Sequence, residues 1–231
     1  MTSGLTVVGT HGTFQIDNVN LNLNLRQKGS VATLSGGSLY LLSKVTLRLN
    51  ATYPIIATVC AFGVATQTIR VSPGVWDVTF VCNGPAGTAI NWYLFDSIPA
   101  QEGNFGLVLW DQNGRIIFSS NHLTYRVIDR YSSSNYSNFP ARVSLPAGKS
   151  YAVSSFRWAG GSERISSPEN SGYLVEDTTW TFLANVNGNT LELGEAEDYY
   201  NAFVVGGGQA PITWHYERKA ADVIVIDVTN Y

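Results

Sequence analysis

The sequence predicts an all-β protein built as two related β-sandwich-like domains. Three observations predict it. Apolar and polar residues alternate along many short runs, glycine-, asparagine- and proline-containing turns break those runs at short intervals, and no long stretch places apolar residues at i, i+3, i+4 and i+7.

Residues 19–25 alternate strictly, with Val19, Leu21, Leu23 and Leu25 on one face and Asn20, Asn22 and Asn24 on the other, the signature of a half-buried strand. Residues 45–49 and 76–80 repeat the pattern, and 178–183 form another β-rich run. Residues 223–228 are more uniformly apolar, as expected of a more deeply buried strand. Pro73-Gly74, Asn83-Gly84-Pro85, Asn113-Gly114, Pro146-Ala147-Gly148 and Asn187-Gly188-Asn189 are the turns between them. Asn-Gly between β runs is a hairpin signal because both residues tolerate positive φ. Trp76, Trp92, Trp180 and Trp214 alternate within strand-like runs and are expected in the core.

The chain resembles itself. Residues 4–16 align with 106–118: both show Gly-Leu, a strand, a glycine turn at the same spacing and a second strand. Leu21, Leu23 and Leu25 then fall against Leu123, Tyr125 and Val127, and Ile90-Asn91-Trp92-Tyr93 matches Ile212-Thr213-Trp214-His215-Tyr216. The expectation is an internal duplication, with a first β domain at 1–98, a linker at 99–104 and a second β domain at 105–231. The extra residues of the second copy are expected in loops at 131–138 and 159–172. Two unrelated hairpins with a common turn pattern are the alternative.

Composition bounds the function. Of 231 residues only 13% are charged, against about 25% in a typical soluble domain. Subunit interfaces are depleted in charge and enriched in aromatics, so the deficit points to assembly, the alternative being a monomer with a neutral, hydroxyl-rich surface. A net charge of −3 and the lack of a basic run argue against nucleic acid as a main partner. Residues 1–12 show no basic segment followed by an apolar one, and no apolar run approaches the roughly 20 residues that span a bilayer. Synthesis in a cytoplasm and no membrane insertion are expected. Cys60 and Cys82 sit in apolar runs and fit two buried thiols in a reducing compartment, a bridge between strands being the alternative.

Catalytic chemistry finds no motif. His11, His122 and His215 are far apart and lack metal-ligand spacing, Gly206-Gly207-Gly208 leads into Gln209-Ala210-Pro211 instead of a phosphate-binding Lys, and no Gly-x-Ser-x-Gly occurs. Glu192, Glu195, Glu197 and Asp198 form the one carboxylate cluster. It reads as a solvated acidic turn, the alternatives being an acid/base pair acting on a glycan or an ion site. No catalytic residue, metal or cofactor is expected, and the chain reads as a non-enzyme. Aromatics near polar, turn-like stretches are the candidate contacts for an interface or a sugar: Trp110, Tyr131, Tyr136, Trp158, Tyr199 and Tyr200.

Residues 105–121, Phe-Gly-Leu-Val-Leu-Trp-Asp-Gln-Asn-Gly-Arg-Ile-Ile-Phe-Ser-Ser-Asn, resemble a signature of small tail proteins of tailed bacteriophages and prophages. In that group an aromatic-Gly-Leu-x-Val stretch is followed by an Asp/Asn-x-x-Gly turn and an apolar strand ending in Phe-Asp/Ser-Ser; here Ser119 replaces the more usual Asp. Trp92-Tyr93-Leu94-Phe95-Asp96 is similar to the same group. The resemblance covers about 30 residues and implies a structural virion component at the tail tip or fibre region, assembled in the host cytoplasm. It implies other tail proteins as partners, a homo-oligomer in the virion and no catalytic residues. A module binding a host surface glycan or protein receptor is the competing expectation.

Overall fold

The computed structural model describes residues 7–8, 14–16, 23–38, 40–97, 106–111, 113–114, 116–157, 159–169, 172–206 and 211–231, without the side chains of 7–8, 14–16, 136, 156–157 and 169. The strands run in order β1 (Val7–Val8), β2 (Phe14–Ile16), β3 (Asn24–Ala32), β4 (Ser43–Asn50), β5 (Ile55–Val59), β6 (Val64–Ser72), β7 (Val75–Cys82), β8 (Ala89–Asp96), β9 (Val108–Trp110), β10 (Ile116–Ser119), β11 (Val127–Ser133), β12 (Arg142–Ser144), β13 (Tyr151–Arg157), β14 (Gly160–Glu169), β15 (Gly172–Asn187), β16 (Thr190–Val205), β17 (Trp214–Arg218) and β18 (Ala221–Asp227). One 3-10 turn, Tyr136–Asn138, interrupts them. The chain is all-β, as its alternation predicts.

Two antiparallel sheets pack face to face. The first has the order β11-β18-β13-β5-β8-β3; the second runs β12-β16-β15-β6-β7-β4, with β14 added to β15 and β17 added to β14. Strand alternation explains the core. Ile56, Ile90, Trp92 and Leu94 of the first sheet meet Leu49, Val64, Val78, Phe80 and Cys82 of the second. At the other end Tyr151, Val153, Ala221, Val223 and Val225 meet Phe182, Ala184, Val186, Leu191 and Leu193. Phe80 and Leu191 are fully buried. Several of the intervening residues of β5, β8, β13 and β18, which face outward, are also apolar. Ala57, Phe95, Ala152 and Ile226 form a third cluster, covered by Leu23, Leu25, Tyr125 and Tyr231. The 223–228 run is buried on both faces for that reason.

Both sheets cross the sequence boundary at 99–104. β5 meets β13 at Thr58 and Val153, and β6 meets β15 at Val64 and Ala184, one register pair in each case. Counting the six sandwich strands of each half from its own start, both halves place first, sixth and third together in one sheet and second, fifth and fourth together in the other. A two-stranded hairpin stands ahead of each set, β1–β2 and β9–β10. The segments just after these hairpins pair with each other: the Leu25 amide donates to the Leu123 carbonyl at 2.7 Å and the Tyr125 amide to the Leu23 carbonyl at 2.8 Å. The proposed linker lies outside the described residues.

Several local readings are corrected. Of the two expected loops, 131–133 and 160–169 are strand instead, because each pairs along its length with a neighbouring strand, while 134–138 is a turn that holds the 3-10 segment. Trp214 does not occupy the place of Trp92: that place belongs to β18, and Trp214 sits exposed on the added strand β17. Asn24, assigned to the solvent face, is fully buried beneath the pairing of 23–25 with 123–125. Glu192, Glu195, Glu197 and Asp198 lie within β16 and form no turn. The turn preceding that strand does behave as the sequence predicts, with Gly188 at φ 59° between β15 and β16.

Candidate functional site: a projecting β arm

β15 and β16 are each 16 residues long, nearly three times a typical strand of about 5–6. Their proximal parts, from about Trp180 to Glu197, belong to the sandwich. Beyond that they continue as an arm in which β16, β15, β14 and β17 lie side by side. The distal stretch of β15, 172–180, extends about 30 Å at about 3.3 Å per residue. Gly161 makes the base of the arm possible: a Cβ there would meet the Trp180 ring at 2.5 Å and the Tyr216 carbonyl oxygen at 2.7 Å. The Trp180 ring therefore lies flat across β14 and reaches His215 on β17, ring centres 5.7 Å apart.

Alternation sorts the arm's side chains into two faces. One continues the outer surface of the second sheet and carries Tyr199, Phe203, Val205, Trp214 and Tyr216 around the ion pair Arg164–Asp177. That pair is bidentate, with Arg164 Nε and Nη2 donating to the two carboxylate oxygens at 2.6 and 2.7 Å. The Arg164 guanidinium bonded to it holds the Asp177 carboxyl below the usual carboxylate range, although burial opposes this. The opposite face continues the sandwich interior past the end of the first sheet, and carries Ile165, Leu174, Tyr200 and Val204 with Glu163, Glu176, Glu197 and Glu217. Glu163 accepts from His215 Nδ1 at 3.4 Å, and Tyr200 Oη donates to Glu176 at 2.8 Å.

Eight of the 19 large apolar side chains that are exposed among the described residues lie on this arm or its 206–213 connection: Ile165, Tyr200, Phe203, Val204, Val205, Ile212, Trp214 and Tyr216. Tyr40 and Leu41 extend the patch at the arm's base, where the Leu41 amide donates to the Asp198 carbonyl and the Tyr40 ring packs on Tyr199. Exposed apolar side chains gathered on one extension make the arm the candidate contact surface.

The six sequence candidates divide. Tyr199 and Tyr200 stand together at the base of the arm, on opposite faces. Trp110 is 58% exposed on the separate β9–β10 hairpin. Tyr131 lies on β11, half-buried against the second-half core, with Oη donating to Asp129 at 2.8 Å; burial and that carboxylate push its pKa up to about 12. Trp158 and the side chain of Tyr136 lie outside the described residues. Sequence reasoning missed Phe203, Val204, Val205 and Tyr216. The apolar run 203–205 directly before three glycines was the available signal.

The remaining candidate chemistry is structural. Asp198 is paired with Lys44 at 2.9 Å and Glu192 with Arg142 at 3.2 Å, so half of the acidic cluster is tied to neighbouring strands. Among the described residues no group of three His, Cys, Asp or Glu side chains is placed to hold a metal ion. Cys60 and Cys82 are free, buried thiols in the first-half core. The Cys82 thiol donating to it holds the Cys60 thiol down to about 7, and that same bond pushes Cys82 up. A shallow cleft of about 310 Å³ lies where the halves meet, lined by Phe62, Asn83, Arg142, Asn185, Glu192 and Glu195 among others. No described helix is long and apolar enough to cross a membrane. Comparison with protein-family models, with curated proteins and with solved structures yields no match.

Proposed function

We propose that this chain is a non-catalytic structural subunit of a tailed bacteriophage, built into the distal tail at the tip or fibre region and held there by its arm. The observation that carries the assembly reading is the arm itself, a sheet extension whose apolar side chains are exposed on both faces. Such surface is costly in a free monomer and is covered in an assembly. The low charge of the whole chain supports the same reading. The tail assignment rests on the resemblance of residues 105–121, which fall on the β9–β10 hairpin. We also infer an internal duplication from the matching strand order of the two halves, with β14 and β17 added in the second. Virion proteomics with antibody labelling of intact particles tests the function: label at the distal tail is expected, and absence of the chain from purified virions overturns it.

A receptor-binding role is the second reading, favoured by Trp110 standing exposed beside the Asp111–Gly114 turn. Exposed indole rings stack on sugars and anchor interfaces. Binding of the isolated chain to host cells that is lost in Trp110→Ala supports it; no binding by the parent chain removes it.

A further inference from the structure

We propose that the open edge of β16, from Tyr200 to Val204, pairs antiparallel with the same edge of a second copy of this chain, joining two four-stranded arms into one eight-stranded sheet. The inference rests on the assembly reading above and names the arm's partner.

The edge of β16 is occupied in steps. Arg142–Ser144 of β12 covers Thr190–Glu192, and the Tyr40–Leu41 segment covers Asp198–Tyr199. From Tyr200 onward no described strand lies on that side, so its outward N–H and C=O groups form a template for another strand. Natural edges are usually blunted by charge, proline or a bulge. The other edge of the arm is blunted in this way: β17 reads Trp-His-Tyr-Glu-Arg, with Glu217 bound to Lys219 at 3.0 Å. On β16 the charges and the register irregularity both come earlier, at Glu197 and Asp198. Tyr-Asn-Ala-Phe-Val then runs uncharged, without proline or glycine, and is rich in strand-forming side chains.

Symmetry selects the register. A two-fold axis perpendicular to the sheet keeps each face on its own side, so it must pass through a residue position. Placed at Ala202, it sets Tyr200 opposite Val204 of the other copy, twice, which is an aromatic–β-branched pair on the exposed face. Asn201 then stands opposite Phe203 on the other face. No like charges meet. An interface of this length is small, at the weak end of specific contacts, so a dissociation constant between about 1 µM and 1 mM is expected, with the high local concentration of a particle closing the equilibrium.

Sedimentation equilibrium of the full chain up to about 1 mM, with spin labels on single cysteines at 201, 202, 203 and 205, tests this. The parent chain, with buried Cys60 and Cys82 retained, is the labelling control. A dimer is expected whose same-residue label distance is shortest at 202 and grows by about 7 Å per residue away from it, twice the strand rise. Val204→Lys, at a site 57% exposed and thus neutral for the monomer's fold, is expected to weaken dimerisation at least 10-fold with an unchanged circular dichroism spectrum. A chain that stays monomeric, a dimer whose label distances show no minimum near 202, or a Val204→Lys chain that dimerises as tightly as the parent overturns the pairing. A chain found in virions but failing these tests leaves the tail reading standing and removes the pairing alone; a chain that pairs but is absent from virions does the reverse.

Discussion

The first half of the molecule keeps its sandwich strands short and the second half does not. Both arrange six strands in the same order across the two sheets, and both enclose a core between them. In the first half the fourth and fifth strands, β6 and β7, are nine and eight residues long and end near the sandwich boundary. Their counterparts β15 and β16 have 16 residues each and recruit β14 and β17. The difference shows how one sandwich can carry both a core and an exposed extension: where two strands run past the facing sheet, their apolar residues are left without a cover. The buried clusters lie in the body, and on the proposed reading the contacts lie in the arm.

The largest test of that division is Phe80→Ala, which removes a fully buried ring from the first-half core and is expected to cost about 3–5 kcal/mol in urea-induced unfolding. Hydrogen exchange in the same variant sharpens the comparison. Phe95 and Ile226 share one cluster across the two halves, so amides of β18 are expected to lose protection along with those of β8. Second-half amides that keep their full protection would show two independent units. Gly161→Ala comes next. The added methyl has no room between the Trp180 ring and the Tyr216 carbonyl oxygen, and overpacking is expected to cost about 1–3 kcal/mol. Here the loss of protection is expected in β14 and β17 and not in β5 or β8.

A smaller effect separates the halves at the ends of their sixth strands. β8 and β18 both finish in a buried aspartate. Asp96 accepts from the backbone amides of Thr52, Tyr53 and Ser97 at 2.6–2.8 Å. Asp227 accepts from the Thr229 amide at 2.9 Å and lies 3.2 Å from Lys149 and 3.7 Å from Arg126. Burial pushes the Asp227 carboxyl up, but Thr229, Lys149 and Arg126 outweigh it and hold it below the usual range. A carboxyl whose folded pKa is lowered contributes its full stability above the unfolded pKa of about 3.9 and loses it as pH falls through the folded value. Asp227→Asn is therefore expected to cost about 1–2 kcal/mol at pH 7, with the difference from the parent shrinking below about pH 4. Equal destabilisation at pH 7 and pH 3 would contradict that assignment.

Strand periodicity made most of the body legible in the sequence. The 76–80 and 223–228 runs became β7 and β18 because burial on one or both faces is written directly into which residues alternate. The strand pairs within 4–16 and 106–118 were legible too, since short alternating strands are local features. The arm was not. Residues 160–169 carry Gly, Ser and Pro, which read as a loop, and only their pairing with β15 over ten positions makes them a strand. Exposure was illegible for the same reason. Trp92 and Trp214 sit in similar local sequence, yet a facing sheet covers one and nothing described covers the other. Periodicity reports that a residue has a face; it does not report whether another sheet lies opposite.

Trp214→Ala gives the smallest expected change in stability and the most direct reading of the arm. Its ring is 43% exposed and stands beside Arg164, outside every buried core cluster. Truncating a ring that packs so little is expected to change unfolding free energy by less than about 1 kcal/mol, against about 3–5 kcal/mol for the buried Phe80. If the arm's aromatic face is covered in the assembled particle, the same substitution should reduce incorporation of the chain into virions far more than it reduces stability. Quantitative immunoblots of purified particles, set beside urea midpoints of the free chain, measure both. A variant that incorporates like the parent would take this face out of the contact and leave the opposite one, around Ile165 and Val204, as the surface the neighbours cover.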